Sequence, residues 1–327
     1  MDVFGCGSTL GNLLRFARGE DRSFRFTVEA VGNTVFFIRR ENKPDETLSQ
    51  DGQPIRGYGH SFPERYMDWE NDVEGSGSHQ RIISYNFYGL KCLVRTEGDG
   101  YLADQVATAA PEGEENAEVD ATLAHKLMNI PNITTRKTGT LIPQHAIFDL
   151  KTRSIKRRDQ VDEILAEQIA RHWIAQIPFF ILAFHERGRF SPEDILVQDV
   201  RKDVEAWENE HQSELRKLGA LLSKLVQLAR HSDSVVGHKY EVVCSSPRSL
   251  EIREQGGEVN APLCEEVRQF WLGRQAGSDA KSETSGGAGV EDDGSDDEAA
   301  YSDASSDGFK DYTACGSECG YCGRCKY

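Results

Sequence analysis

A short apolar run that contains an acid and a lysine is the part of the sequence best suited to chemistry. Its residues are Ile147, Phe148, Asp149, Leu150 and Lys151. Such a run predicts a buried strand, on which Asp149 and Lys151 share one face. An acid that holds a divalent cation, beside a lysine that stabilises or deprotonates a water, suits metal-assisted phosphodiester hydrolysis. An isolated pair of this kind is more often a salt bridge at a strand end.

Three other acids, at two places in the sequence, are candidates to join this pair. Glu97 and Asp99 follow a strand predicted at 90–96, again on one face, and two such carboxylates repel each other unless a cation lies between them. The alternative is a solvated turn, because Asp-Gly is a common turn dipeptide. Glu64 follows Pro63 in a predicted helical turn, where the alternative is an acid favoured by the helix N-terminus.

Basic residues are densest directly after the acid–lysine pair. They include Arg153, Lys156, Arg157 and Arg158. A charge run is usually only a solvated face, but beside strand-end acids a contact with a nucleic-acid backbone is an equally good interpretation. The apolar spacing over 157–176 predicts a helix that packs beside the strand of Asp149.

The acidic residues are concentrated in two segments. The chain of 327 residues has a net charge of −16 and a hydrophobic content of 38%. Segment 104–120 has six acids and no base, and the tail from residue 275 has twelve acids and four bases, so the remainder carries only −2. A nearly neutral core can still carry a local basic patch for phosphates. The tail is predicted to be disordered and to offer a surface for a protein partner.

The pattern of elements predicts an α/β fold with a central mixed β-sheet flanked by helices. It includes a hairpin over Phe24–Arg40 and one long helix over Arg201–Arg230. The most apolar run, Ile177–Phe184, is too short to cross a bilayer, and the start of the chain lacks a signal peptide. We therefore expect a soluble intracellular protein, in the nucleus or the cytoplasm, without membrane contact.

Three regions are expected along the chain. The first is the α/β domain that contains the acid–lysine pair and an acidic insertion, and the others are a disordered acidic linker and a cysteine knuckle. Their predicted bounds are 1–274 with the insertion at 103–135, then 275–311, then 312–327.

Four cysteines are crowded at the C-terminus with the spacing C-x3-C-x2-C-x2-C. They are Cys315, Cys319, Cys322 and Cys325. Nothing nearby is apolar enough to bury them, and four thiolates suit a tetrahedral zinc ion. An iron–sulfur cluster, or a redox role without a metal, are the alternatives.

The order of these motifs resembles that of the PD-(D/E)XK nuclease superfamily, and within it the eukaryotic decapping exonucleases of the DXO type. The resemblance covers about 57–230. Glu64 matches the family's glutamate before Tyr-Met, and Glu97 and Asp99 match its Glu-x-Asp. Asp149 and Lys151 match its Glu-Leu-Lys, and Trp173 and Gln176 match its helix with Trp and Gln.

The resemblance implies a two-metal hydrolase of RNA 5′ ends. Lys151 and Gln176 would orient the attacking water. Two Mg²⁺ or Mn²⁺ ions would be held by Glu64, Glu97, Asp99, Asp149 and the main-chain carbonyl of Leu150. Such enzymes hydrolyse phosphoester or phosphoanhydride bonds, as decapping enzymes or 5′–3′ exoribonucleases, so we expect a nucleic-acid ligand and favour RNA over DNA.

Departures from the family pattern leave two alternatives open. Asp149 stands where the family usually has glutamate, which shortens the reach toward a metal, and the acidic insertion lengthens the distance from Asp99. Some relatives chiefly stabilise a partner exonuclease, so an accessory protein with weak catalysis is one alternative. A DNA exonuclease with a C-terminal iron–sulfur or zinc cluster is the other.

Overall fold

The structure is a computed structural model of the chain. It describes residues 1–39, 58–59, 61–70, 72–74, 76, 78–106, 138–230, 239–247, 249–255, 263 and 265–280. The predicted acidic insertion lies outside the described residues except at 103–106, and the predicted linker lies outside them beyond residue 280. The predicted cysteine knuckle, with Cys315, Cys319, Cys322 and Cys325, lies wholly outside them.

Eleven strands form two sheets in the described part of the chain. The strands are Val3–Cys6 (β1), Phe24–Val31 (β2), Thr34–Arg39 (β3), Gln80–Phe87 (β4), Leu90–Glu97 (β5), Gly100–Tyr101 (β6), Ile147–Ser154 (β7), Phe179–His185 (β8), Ile195–Asp199 (β9), Lys239–Ser246 (β10) and Ser249–Glu254 (β11). The larger sheet has the order β11-β10-β2-β3-β1-β5-β4. Strand β1 runs parallel to β3 and β5, and the other neighbours are antiparallel, so this sheet is mixed.

The smaller sheet has the order β6-β7-β8-β9. Strands β7 and β8 are parallel, and their register pairs Asp149 with Phe180 and Lys151 with Leu182. Strands β6 and β9 add antiparallel edges. Because paired residues point to the same side of a sheet, Asp149 and Lys151 share a face with Phe180 and Leu182.

Seven α-helices accompany the sheets in the described residues. They are Gly7–Arg18 (α1), Ser61–Tyr66 (α2), Ala103–Val106 (α3), Val161–Ala175 (α4), Arg201–Glu210 (α5), Gln212–Arg230 (α6) and Glu265–Ala280 (α7). Short 3₁₀ turns cover Gln144–Ala146, Ile155–Gln160 and Pro192–Asp194. Across the described ranges, no helix has both the length and the apolar character to span a membrane.

The main hydrophobic core joins both sheets through three helices. Leu13 of α1, Trp173 of α4 and Leu222 of α6 belong to one buried cluster with Val35 of β3 and Phe180 of β8. Full burial of such a side chain stabilises the fold by about 1.5–3 kcal/mol. A smaller cluster covers the other face of the four-stranded sheet. Helix α4 lies against the face of β7 that carries Asp149, which its Arg171 and His172 approach.

The predicted mixed sheet flanked by helices is confirmed, as are the β2–β3 hairpin and the helix before β8. The single helix predicted over Arg201–Arg230 is wrong, because the chain leaves the helical conformation at His211. The His211 ring stacks on Trp207, with centroids 4.6 Å apart, and its backbone N–H donates to the Trp207 carbonyl. Helix α7 also continues to Ala280, past the predicted domain boundary at 274.

A glycine in the middle of α6 allows a turn of the large sheet to pack on the helix. A Cβ added to Gly219 would lie 2.3 Å from Cγ of Tyr88, the residue at the β4–β5 turn. Glycine inside a helix costs about 0.5–1 kcal/mol relative to alanine. The close approach of the Tyr88 ring explains why a glycine occupies this position despite that cost.

We predict that Gly219→Ala lowers the free energy of unfolding by about 1–3 kcal/mol, because the methyl group overlaps the Tyr88 ring. Urea denaturation followed by circular dichroism measures this change. Gly273→Ala in α7 is the matched control, since an added Cβ there meets no atom within 4 Å, and it should stabilise slightly. Equal stabilisation by both changes would show that Tyr88 simply moves aside.

Candidate active site

Strand β7 has an apolar face and a charged face. Phe148 and Leu150 pack in the smaller cluster with Phe62 of α2, whereas Asp149 and Lys151 face the opposite way, toward α4. This alternation follows directly from the two-residue period of a strand. The predicted shared face of Asp149 and Lys151 is therefore confirmed.

The Asp149 carboxylate is almost wholly buried and is surrounded by basic side chains. Asp149 is 1% exposed and Lys151 is 5% exposed. The distance from Asp149 Oδ1 to Arg171 Nη2 is 2.7 Å, and the distance from Asp149 Oδ2 to Lys151 Nζ is 3.5 Å. His172 Nε2 lies 3.9 Å from Oδ2. A buried carboxylate is tolerated when cations lie this close to it.

Helix α4 supplies two of these neighbours from one of its faces. Gln168, Arg171 and His172 are three or four residues apart, so they lie on the side of the helix that faces β7. His172 Nδ1 donates to the Ile177 carbonyl at 2.9 Å, because a carbonyl can only accept, and Nε2 is directed toward Asp149. The buried Gln168 amide and His172 Nε2 have no hydrogen-bond partner among the described residues.

Asp99 approaches the same place from the end of β5. Its Oδ2 accepts a hydrogen bond from the Leu150 backbone N–H at 2.6 Å, and its own N–H donates to the Phe148 carbonyl. The approach requires a glycine at position 100, where an added Cβ would lie 2.4 Å from the Phe148 ring. The structure therefore brings Asp99, Asp149 and Lys151 together, as the motif spacing predicts.

The two carboxylates have opposite pKa shifts. Burial and the nearby Asp149 charge raise the pKa of Asp99. Burial by itself would raise the pKa of Asp149, but Arg171 and Lys151 outweigh it, so the pKa of Asp149 is lowered. Burial and the Arg171 charge lower the pKa of Lys151, which makes this lysine a better proton acceptor. Of the two acids, Asp149 is therefore the one whose surroundings favour the ionised form.

The other two predicted acids lie on α2 and at the end of β5. Glu64 is exposed on α2, and α2 packs through Phe62 on the face of β7 opposite to Asp149. Glu97 is half-buried at the end of β5. Within the part of the chain that the structure describes, no group of three or more acidic, histidine or cysteine side chains is arranged to hold a metal ion. The four-carboxylate set implied by the resemblance stays a prediction.

Gln176 faces a different part of the surface. It follows the last residue of α4 in a left-handed conformation, with φ of 52°, and its Nε2 donates to the Trp173 carbonyl. It lines a cleft of about 390 Å³ together with Arg81 and Gln144. The structure places Arg171 at the Asp149 carboxylate, and the role of Gln176 in orienting a water stays a prediction.

The basic cluster after β7 is largely engaged within the protein. Arg157 pairs with Glu167 at 3.7 Å, and Arg158 pairs with Asp194. Arg153 donates to the Thr152 carbonyl, and Lys156 is exposed on the 3₁₀ turn. A nucleic-acid contact by these four residues stays a prediction, and two of them would have to give up internal partners to make it.

Arg171 and His172 were missed by the sequence analysis. Polar residues on an amphipathic helix are usually solvated, so their residue types alone do not indicate a site. The available signal was their position: Gln168, Arg171 and His172 repeat at helical spacing beside apolar Ile169 and Trp173, on the side that packs against the sheet. Polar residues on an inward face need buried partners.

The donor atoms at the site fit one divalent cation better than two. Asp99 and Asp149 are close enough that their repulsion raises the pKa of Asp99, and a cation between them would relieve this repulsion. Both Asp149 oxygens are buried, and their charged neighbours are Arg171 at Oδ1 and Lys151 at Oδ2. Carboxylate and carbonyl oxygens are the ligands that Mg²⁺ and Mn²⁺ prefer. Arg171 opposes the fit, since its guanidinium already pairs with Oδ1.

Comparison with solved structures identifies the class of fold. The structure is similar to Rai1 from Scheffersomyces stipitis in complex with (3′-NADP)⁺ and calcium ion, with a TM-score of 0.54 and 14% identity, over 84% of this chain and 73% of that chain. It is also similar to Candida albicans Rai1 in complex with pU5-Mn²⁺, with a TM-score of 0.51 and 11% identity, over 84% and 75%. The chain thus has the fold of these Rai1 structures.

Residues 1–245 match the family model described as a domain of unknown function, DUF8563, and the chain belongs to this family. No curated protein matches the chain. At identities of 11–14%, the likeness to Rai1 establishes the fold, so the function is argued from the site itself.

We predict that Asp149→Asn lowers the free energy of unfolding by about 3–5 kcal/mol, because the change removes the charge that balances two buried cations. Urea denaturation measures this loss. Adding Arg171→Gln to the same chain should recover part of it, because one of the uncompensated cations is then absent.

The control is Asp199→Asn, which breaks an exposed pair with Arg201 of 2.5 Å and should cost no more than about 1 kcal/mol. If Asp149→Asn costs as little as this control, the Asp149 carboxylate is solvated and the buried charge cluster does not exist in solution.

Proposed function

We propose that this protein is a divalent-metal-dependent hydrolase of phosphoester or phosphoanhydride bonds at RNA 5′ ends. The observation that carries the proposal is the meeting of Asp99, Asp149 and Lys151 at one place in a Rai1-type fold. The Candida albicans Rai1 complex with pU5-Mn²⁺ supports a 5′-phosphorylated RNA and a divalent cation as the ligands. We favour RNA over DNA on the same ground.

The residues have separable roles in this proposal. Asp99, Asp149 and the main-chain carbonyl of Leu150 would hold the cation, whose chemistry when bound is to stabilise the negative charge that develops on a phosphate oxygen. Lys151 would orient the attacking water and accept its proton, for which its lowered pKa is suited. The buried setting strengthens each of these electrostatic interactions.

Exposure indicates the side from which a substrate would reach these groups. Asp149 and Lys151 are buried, whereas Asp99 is half-buried and the Arg171 side chain is 14% exposed. A phosphate that approaches past Asp99 and Arg171 would meet a positive group before it reaches Asp149. Substrate access between these two residues is therefore part of the proposal.

A non-catalytic role is the second candidate, and the Arg171–Asp149 pair favours it. A carboxylate neutralised by an internal arginine has less attraction for a metal ion. The protein would then use the fold to bind RNA or a protein partner, with the acidic tail as a predicted contact that lies outside the described residues. Zinc or an iron–sulfur cluster at the terminal cysteines stays a prediction, because these cysteines also lie outside the described residues.

We predict Mn²⁺- or Mg²⁺-dependent hydrolysis of capped, 5′-triphosphorylated or 5′-monophosphorylated RNA, with less activity on single-stranded DNA. Asp149→Asn and Lys151→Gln should each lower the rate by about 10²–10⁴-fold, because each removes a group that acts on the reacting water or phosphate. Product formation from 5′-labelled substrates measures the rate, and circular dichroism checks that each variant is folded.

Gln176→Ala tests the placement of the site. The motif resemblance expects a large loss of rate, whereas the position of Gln176 beside Arg81 and Gln144 predicts little change. If the folded unmutated protein cleaves no substrate with either metal, the hydrolase proposal fails and the binding role remains.

A further inference from the structure

We propose that Arg171 and a divalent cation compete for the Asp149 carboxylate, and that the guanidinium moves to a phosphate of the RNA when the cation takes Asp149. This inference rests on the proposed function and deepens it, because it makes cation binding depend on the substrate. It assigns to Arg171 a role that the Rai1-type fold by itself does not specify.

The first support is the contact itself. Arg171 Nη2 lies 2.7 Å from Asp149 Oδ1, in a pair whose acid side chain is only 2% exposed. Mg²⁺ requires its oxygen ligands at about 2.0–2.1 Å in near-octahedral geometry. A guanidinium in direct contact with the same oxygen would repel such an ion, so both cannot hold Asp149 at full strength.

The second support is the formal charge of the cluster. Counted in their ordinary ionised forms, Asp99 and Asp149 contribute two negative charges and Lys151 and Arg171 two positive charges, so the formal sum is zero. A divalent cation added to a neutral buried group would leave an excess of two positive charges. The cluster can accept the ion readily only if Arg171 withdraws or if the substrate brings negative charge.

The third support is the position and chemistry of Arg171. Its side chain is 14% exposed, whereas those of Asp149 and Lys151 are 2% and 6% exposed, so it is the basic group nearest to solvent. Guanidinium groups form bidentate hydrogen bonds with carboxylate and with phosphate oxygens alike, so a phosphate can replace a carboxylate as the partner. A 5′-phosphate therefore offers Arg171 an equivalent partner at the moment when the cation takes Asp149.

The consequence is that cation and RNA bind cooperatively. Each ligand removes an obstacle to the other, and such coupling must be the same whichever ligand binds first. We expect 5′-phosphorylated pentauridylate to increase the affinity of the unmutated protein for Mn²⁺ by roughly 5- to 150-fold, the usual range for coupled sites.

The experiment is a titration of Mn²⁺ followed by the electron paramagnetic resonance signal of the free ion, with and without the pentauridylate. Arg171→Gln should bind Mn²⁺ more tightly than the unmutated protein when RNA is absent, and RNA should then add little. Arg171→Lys keeps the positive charge and should remain close to the unmutated protein. The control is Arg253→Gln, which breaks an exposed pair with Glu251 on β11 and should change neither affinity.

Unchanged or weaker Mn²⁺ binding by folded Arg171→Gln overturns the inference and makes the pair purely structural. If Arg171→Gln does not fold, the unmutated protein decides the matter, since RNA must raise its Mn²⁺ affinity. If hydrolysis depends on Asp149 but Arg171→Gln has the same Mn²⁺ affinity as the unmutated protein, the competition is refuted and the proposed function stands. If neither protein binds Mn²⁺ or cleaves RNA, the proposed function fails as well.

Discussion

The buried ion pair between Arg171 and Asp149 is the interaction on which the arrangement of the site depends. It joins strand β7 of the small sheet to helix α4, which packs in the main core. Charges in such a place are retained only when their partners are held in good geometry, because an unpaired one is costly. The packing of α4 by Ile169 and Trp173 therefore determines the electrostatics of Asp149, and the two cannot vary independently.

The same constraint explains the unequal chemistry of two neighbouring carboxylates. Asp149 is surrounded by cations, whereas Asp99 has the Leu150 N–H and the repulsion of Asp149. Environment, and not residue type, therefore separates the pKa values of these two acids. The ion pair joins the small sheet to α4, and both contribute to the core that also contains residues of the seven-stranded sheet.

Much of this could be predicted from the sequence where local periodicity decides the structure. The shared face of Asp149 and Lys151 follows from the period of a strand. Arg171 could not be placed in the same way, since helical spacing defines a face but not what that face contacts. The role expected for Gln176 stays a prediction, and periodicity did not indicate that the helix ends one residue before it or that its backbone is left-handed. His211 likewise ends a helix whose apolar pattern continues past it.

Strand β7 is covered on both faces, with aromatic residues on one side and charges on the other. A shift of its pairing with β8 by a single residue would exchange these faces, burying Asp149 and Lys151 among Phe62 and Phe190 and setting Phe148 against Arg171. Such a misfolded form would have unpaired charges in both clusters. The correct alignment of β7 and the formation of the site are consequently a single event, so molecules that fold at all should contain an assembled site.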